Sequence, residues 1–272
     1  MAKGLEDTLM YTYNRFIAHN DVGDSPANFG ISREEFHQAM IERHKKWPLS
    51  LNATSTHDTK RGEDARARLN VISDLADEWM QKVNEWFSIN CSIKQNEIPD
   101  ANKEYFIYQT LVATYPISGV VDDDYLSRLL SYIKKFLRET KTDSSWAKPN
   151  AEYEETCKNF VQQILKTGSA FINSFLSFQK KIERYGVYNS LTQLILKFTC
   201  PGVPDVYQGC ECWDFSLVDP DNLRPVDYSL RQKALEELKE ISHQENFIQK
   251  LFDDYPSAKL KLWLTQKLME LR

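Results

Sequence analysis

Between Glu63 and Phe87 seven apolar residues, Ala65, Leu69, Ile72, Leu75, Trp79, Val83 and Trp86, recur at steps of four, three, three, four, four and three. Such steps put every one of them on the same face of a 3.6-residue helix, so the stretch predicts one long helix burying one stripe. The same period dominates the rest of the chain. Ser32-Arg-Glu-Glu35 has the spacing of a capping box, and Phe36, Met40, Ile41 and His44 follow on one face until Pro48 stops the helix. Leu9, Met10, Tyr13, Phe16 and Ile17 make an earlier amphipathic helix. Further stripes lie at 104–114, 124–139, 151–166, 169–184, 188–199, 228–241 and 258–271, separated by Pro, Gly or polar clusters such as Thr142-Asp-Ser-Ser145. The pattern predicts about ten helices.

Strand patterns are few. Leu51-Asn-Ala-Thr-Ser-Thr-His57 alternates Leu51, Ala53 and Ser55 against polar neighbours, and Val203-Pro-Asp-Val-Tyr207 is entered through Cys200-Pro-Gly202. Two strands about 150 residues apart cannot close a sheet on their own. The expected fold is therefore mainly α with two short strands. Residues 1–60 form a helical segment leading into the first strand and its loop, and 61–185 form an inserted helical lobe. Residues 186–228 hold a helix, the second strand and an irregular loop, and 229–272 form C-terminal helices.

Fourteen Phe, 13 Tyr and 6 Trp in 272 residues supply ample core material, which excludes a disordered chain. The net charge of −5, from 34 basic and 39 acidic residues without a dense basic block, argues against nucleic acid as a partner. No apolar run approaches the ~20 residues of a membrane span, and the start Met-Ala-Lys-Gly-Leu-Glu-Asp lacks a signal peptide's apolar stretch. A membrane is therefore not an expected partner, and a cytoplasmic protein is. The five cysteines, at 91, 157, 200, 210 and 212, fit reduced thiols better than a disulfide framework. No Gly-x-Gly-x-x-Gly or Walker loop offers a nucleotide cradle. Cys210-Glu-Cys212 lacks the further ligands a metal site needs.

The densest polar constellation is Thr54-Ser-Thr-His-Asp-Thr-Lys-Arg-Gly-Glu-Asp64, where a strand ends and a long helix begins. In α/β folds such strand ends line the ligand crevice, which makes His57 and Asp58 candidates. The competing reading is that Asp58 or Thr59 caps the next helix, with Glu63 and Asp64 complementing its positive end. Spacing leaves both open. Asp219-Pro-Asp-Asn222 could start a calcium loop, but Arg224 and Leu230 stand where Gly and Glu are required, so a turn held by Asx hydrogen bonds is expected. Trp79 and Trp86 lie on a core stripe, whereas Trp146 lies outside one and remains open to stacking on a sugar. His19, His37, His44 and His243 lack ligand spacing and read as structural or exposed.

The segment from Leu51 through His57-Asp-Thr-Lys-Arg-Gly62 to Leu69 resembles the part of the maltooligosyltrehalose synthase family that carries the last catalytic carboxylate of the α-amylase superfamily. Tyr188-Asn-Ser-Leu-Thr-Gln193, Pro201-Gly-Val-Pro-Asp-Val-Tyr-Gln-Gly209, Trp213-Asp-Phe-Ser-Leu-Val-Asp-Pro-Asp-Asn222 and Arg224-Pro-Val-Asp-Tyr228 resemble that family's eighth barrel strand and the loop after it. Ala2-Lys-Gly-Leu-Glu-Asp-Thr8 and the stretch from Phe29-Gly30 to Trp47-Pro48 are similar to it as well, so the likeness covers nearly the whole chain. Cys210, Cys212 and Leu223 depart from it, standing where Thr, Leu and Arg are expected.

The resemblance implies that the two strands are the last two of a (β/α)8 barrel, that the chain is an incomplete piece of a longer enzyme, and that it is inactive alone. The implied reaction converts the reducing-end α-1,4 bond of a maltooligosaccharide into an α-1,1 bond. By resemblance Asp58 is the third catalytic carboxylate, His57 hydrogen-bonds the same sugar, and Lys60 and Arg61 line the acceptor side. No cofactor and no metal is implied, and apolar faces left by absent strands would favour self-association. Two alternatives stay open: another α-amylase-superfamily hydrolase, and a helical interaction domain in which His57-Asp58 is only a helix cap.

Overall fold

The computed structural model describes residues 2–272. Among them the chain runs through α1 (Ala2–Thr12), α2 (Arg33–Lys46), β1 (Leu51–Asn52), α3 (Glu63–Asp74), α4 (Ala76–Asn90), α5 (Ala101–Thr114), α6 (Asp123–Thr140) and α7 (Ala151–Ile164). It continues through α8 (Ala170–Thr199), β2 (Val203–Pro204), α9 (Tyr228–Ile241), α10 (Phe247–Asp253) and α11 (Lys259–Leu271). The protein is mainly helical, with β1 and β2 forming a two-stranded parallel sheet. No helix among the described residues is long and apolar enough to cross a membrane.

The 63–87 stripe is carried by two helices rather than one. Leu75 leaves the helical region (φ −118°, ψ 30°) and restarts the chain as the first residue before α4. The Ser73 hydroxyl bonds the carbonyl of Asn70 at 2.7 Å, the local competition by which a short polar side chain loosens a last turn. The stripe still reaches the core on both sides of the break, with Leu69, Ile72, Trp79, Val83 and Trp86 buried. The opposite happens at Gly186, where two expected helices run on as the single α8. A Cβ there would stand 2.8 Å from Arg68 Cγ, so glycine serves for close packing and not as a stop. The short α10 was not expected, because seven residues are too few to display a period.

The capping box of α2 is present, with Ser32 Oγ accepting from Glu35 N–H at 3.1 Å and Glu35 Oε2 accepting from Ser32 N–H at 2.7 Å. Its apolar side is only partly covered: Phe36 and Met40 are half-buried, and no residue of α2 is fully buried.

The chain divides into two compact units, one of Met1–Pro26 with Arg68–Gly186, the other of Ala27–Ala67 with Val187–Arg272. The first unit joins α1 to the helices that follow Arg68. Tyr11 packs on Phe106 and Phe136 at 6.4 and 6.3 Å, and the Gln109 amide holds Ile17 N–H and the Asn14 carbonyl, both at 2.9 Å. At its centre Trp86 meets Tyr108, Phe171 and Phe175 at 5.3–5.7 Å, with Trp79 edge-on at 5.7 Å. Their indole N–H groups reach Ser174 and Tyr105, so the buried rings carry no unmet donor. Trp146 is exposed, with the Arg138 guanidinium 4.9 Å from its ring and Glu139 accepting its N–H.

The second unit has a core of Val187, Leu191, Leu238, Phe247, Leu251, Leu260 and Leu262 and contains the sheet. Leu51 pairs with Val203 and Asn52 with Pro204, through Val203 N–H to Ser50 O at 2.8 Å and Asp205 N–H to Asn52 O at 3.0 Å. The strands are shorter than the expected 51–57 and 203–207. Pro204 has no N–H to offer the ladder, and no third strand among the described residues extends it. Asn52 turns toward α8, where its Nδ2 donates to the carbonyls of Lys197 and Pro201 at 3.2 Å. Gly202, at φ +125°, lets the strands approach: a Cβ would lie 2.6 Å from Ser50 O. Leu51 and Val203 are 68% and 42% exposed, so one side of the pair is packed and the other uncovered.

Candidate functional site

Beyond β1 the segment 53–62 forms a turn before α3. Asp58 N–H bonds Thr56 Oγ1 at 3.2 Å, and Thr59 Oγ1 donates to the Thr56 carbonyl at 3.0 Å. These local bonds hold His57 exposed and the Asp58 side chain 27% exposed at the tip. Lys60 is buried along its stem and sets its ammonium 3.5 Å from Asp58 Oδ1. Arg61 is only 1% exposed, and its backbone bridges to Leu217. Neither Asp58 nor Thr59 caps the next helix. That helix starts at Glu63, whose N–H is bonded by Ser55 Oγ at 3.0 Å. The cap alternative is thereby removed for Asp58.

Behind the turn lies a buried charge cluster. Lys261 Nζ, on α11, reaches Glu63 Oε1 at 2.7 Å, Asp64 Oδ2 at 2.6 Å and the Cys212 carbonyl at 3.0 Å. Lys197, on α8, reaches Glu63 Oε2 at 3.1 Å and Thr54 Oγ1 at 3.0 Å, and the Thr54 hydroxyl also donates to Glu63. Burial pushes the Glu63 carboxyl up, but the ammonium groups of Lys261 and Lys197 outweigh it and bring it down to about 2. Asp64, fully buried, is raised by burial and by the Glu63 charge against the pull of Lys261. Burial disfavours the charged Lys261, yet the two carboxylates hold it above its ordinary value.

Sequence reasoning gave Glu63 and Asp64 only a helix-end role and missed both lysines. A signal was there: Lys261 shares a helical face with Thr265 and Leu268, and Lys197 follows Leu194 by three, positions where a buried charge needs a partner.

A depressed carboxyl stabilises the fold above its unfolded pKa, near 4.5, and that contribution disappears as pH falls through its folded value. The second unit is therefore expected to lose the Glu63 contribution between about pH 4.5 and pH 2. Urea midpoints followed over that range check this. Glu63→Gln should flatten the acid limb, because a neutral amide has no proton to take up.

The loop 209–224 wraps the same segment. Gly62 N–H bonds Ser216 O at 2.9 Å, and Asp214 N–H bonds Asp64 Oδ2 at 2.6 Å. A Cβ on Gly62 would fall 2.6 Å from Asp214 O, so only glycine admits this approach. Asp221 Oδ2 accepts the N–H of Leu217, four residues earlier, at 2.8 Å, which is not the bond of the expected Asx turn, and Asp221–Leu223 is a 3-10 turn. Asn222 Nδ2 donates to the carbonyls of Thr56 and His57 at 3.2 and 3.0 Å. Cys210 is a free thiol bonded to Asp214 Oδ2 at 3.3 Å, and burial pushes its pKa up, so it stays unreactive in place.

No family model matches the chain. It is 37% identical over 238 residues to a Mycobacterium tuberculosis (strain CDC 1551 / Oshkosh) protein provisionally named maltooligosyl trehalose synthase, covering 88% of this chain and 30% of that protein. Its fold is similar to a solved Arthrobacter ramosus maltooligosyltrehalose synthase, with a TM-score of 0.86 at 29% identity, over 100% of this chain and 33% of the other. A solved Sulfolobus tokodaii hypothetical maltooligosyl trehalose synthase gives a TM-score of 0.84 at 38% identity, over 98% and 34%. The chain thus spans about a third of the length of the relatives it matches, and over that third it shares their sequence and fold.

Proposed function

We propose that this chain is a segment of a maltooligosyltrehalose synthase, and that Asp58 is the third carboxylate of its transglycosylation site. The observation that carries this reading is the partly exposed Asp58, one turn past a parallel strand, with the Lys60 ammonium 3.5 Å away and a buried charge cluster behind it. In the proposed reaction the reducing-end α-1,4 bond of a maltooligosaccharide is broken and the released glucose is rejoined through an α-1,1 bond. The carboxylate of Asp58 holds sugar hydroxyls of the ring at the cleavage point and favours its positively charged, flattened form. His57 hydrogen-bonds that ring. Lys60 and Arg61, both buried beside the turn, line the acceptor side.

The parallel pairing of β1 and β2, packed on the Asn52 side and uncovered at Leu51 and Val203, supports reading them as the last two strands of a (β/α)8 barrel, whose inward residues interdigitate with those of the other strands. That uncovered face also supports self-association of the chain, and five free thiols support a cytoplasmic setting. Retention of configuration needs a nucleophile and an acid/base carboxylate ~5–5.5 Å apart. Neither is assignable on this chain, so it is expected to form no trehalose-terminated product by itself.

Titration of the isotope-labelled chain with maltooligosaccharide tests the reading. Chemical-shift changes confined to His57, Asp58 and their neighbours are expected, with no turnover. Absence of any localised response sinks the sugar-site assignment, and trehalose-terminated product from the purified chain overturns the division of roles.

A further inference from the structure

We propose that Asn222 is a positioning residue, which sets the His57–Asp58 turn from the far side of the sheet loop by donating both amide protons to it. The Nδ2 group bonds two successive carbonyls, Thr56 O at 3.2 Å and His57 O at 3.0 Å, across 165 residues of chain. Two adjacent peptide units flank the Cα of His57, so fixing both fixes the direction in which His57 and Asp58 leave the turn. Asn222 is 9% exposed, and its Oδ1 is buried without a partner among the described residues. The side chain therefore acts here through donation alone. Rotating the amide by half a turn would press Oδ1 against the same two carbonyls, which settles its orientation.

The residue is itself held. Its own carbonyl accepts from Tyr207 Oη at 3.4 Å and Gln208 Nε2 at 3.3 Å, just after β2. The preceding Asp221 ties the turn to Leu217, which bridges Arg61. Asn222 thus links the end of the second strand to the tip that follows the first. The Asp-Pro-Asp-Asn segment is the clamp on the candidate site.

Backbone order at 56–60, measured by nitrogen-15 relaxation on the full chain, separates this role from simple packing. If donation matters, Asn222→Asp is the most damaging change, because it is the same shape but sets a charged acceptor oxygen where Nδ2 donated to two carbonyls. Order parameters at His57 and Asp58 are then expected to fall from about 0.85 to below about 0.6, with Asn222→Ala intermediate and Asn222→Gln nearest to the parent. If Asn222 only fills space, Asp is the mildest of the three. Order parameters in α9 and α11 should stay unchanged. A milder effect of Asp than of Ala, or loss of order spread through the whole second unit, overturns the proposal. The consequence for sugar rests on the reading of Asp58 as a ligand-contacting carboxylate: the maltooligosaccharide response at His57 and Asp58 is expected to weaken at least tenfold in apparent affinity in Asn222→Asp. The order measurement contains no sugar. A parent chain that ignores maltooligosaccharide while Asn222→Asp still loosens the turn would discard the function and keep the clamp.

Discussion

Asp58→Asn, placed in a full-length synthase that contains this segment, is expected to lower kcat by at least ~10²-fold while KM changes far less, the scale of removing one preorganised electrostatic contact. The substitution preserves the shape of the side chain and removes its charge. A negative charge beside the ring matters little while the sugar is neutral and much as the ring becomes positive, so its loss falls on the transition state and not on ground-state binding. The structure sharpens the comparison. Asp58 has no part in starting α3, whose first N–H groups are met by Ser55 Oγ and the Asp214 carbonyl. The start of α3 is therefore untouched by the variant, and the thermal melt separates any loss of the Lys60 pair, at 3.5 Å, from the kinetic loss. Steady-state kinetics with a maltooligosaccharide series, with a thermal melt of the same preparation, check both halves. A kcat close to that of the parent removes Asp58 from the chemistry.

Lys261→Met is expected to have the largest effect on stability, about 3–5 kcal/mol, the cost of leaving a buried charge without its partner. One ammonium serves two carboxylates here, at 2.7 Å on Glu63 and 2.6 Å on Asp64, and all three side chains are essentially inaccessible to water. Methionine fills much the same volume, so the loss measured is that of the charge. Lys197 still compensates Glu63, which leaves Asp64 as the group in difficulty. The double variant Lys261→Met, Asp64→Leu should then recover much of the loss, because removing both members of a pair leaves no orphaned charge. Urea denaturation of the two variants reads the difference directly. Lys267→Met is the control: its pair with Glu270, at 2.6 Å, is half in water and should be worth less than about 1 kcal/mol. A midpoint for Lys261→Met as close to the parent as that of the control would mean that the cluster does not hold the turn's base.

The link from this cluster to the candidate site runs through the backbone. Glu63 and Asp64 open α3 directly after the turn, and their side chains are anchored to α8 and α11. The turn is thus fixed at its base by charge and at its tip by the Asn222 amide, which leaves Asp58 on a rigid support, as a preorganised site needs.

Local chemistry alone was enough for much of the fold. The spacing of apolar residues placed α5, α6, α7, α9 and α11 close to where they stand, although α5 is buried on nearly every side rather than along one stripe. The capping box of α2 needs only residues 32–35, and it formed. The His57-Asp58 segment could be singled out for its polar density after a strand, and the resemblance of residues 51–69 and 188–228 pointed to the same family that the relatives carry.

What the sequence could not reveal depends on partners distant along the chain. Ser73 is only a weak local cue to the break at Leu75, whereas Gly186 signals one that does not occur, because Arg68 packs against it. The strands stop after two residues since a ladder requires a neighbour, and pairing is a property of two segments 152 positions apart in register. Lys197 and Lys261 stand on apolar helix faces in the sequence, but their partners are set only when the fold carries Glu63 and Asp64 to them and excludes water. Arg61 and Asp58 lie three residues apart in the same polar run, yet one is buried and the other partly exposed. Sequence supplies the donors, the charges and the periods. Which of them meet, and which are left facing solvent, is set by the tertiary packing that decides the local dielectric and the distance between them.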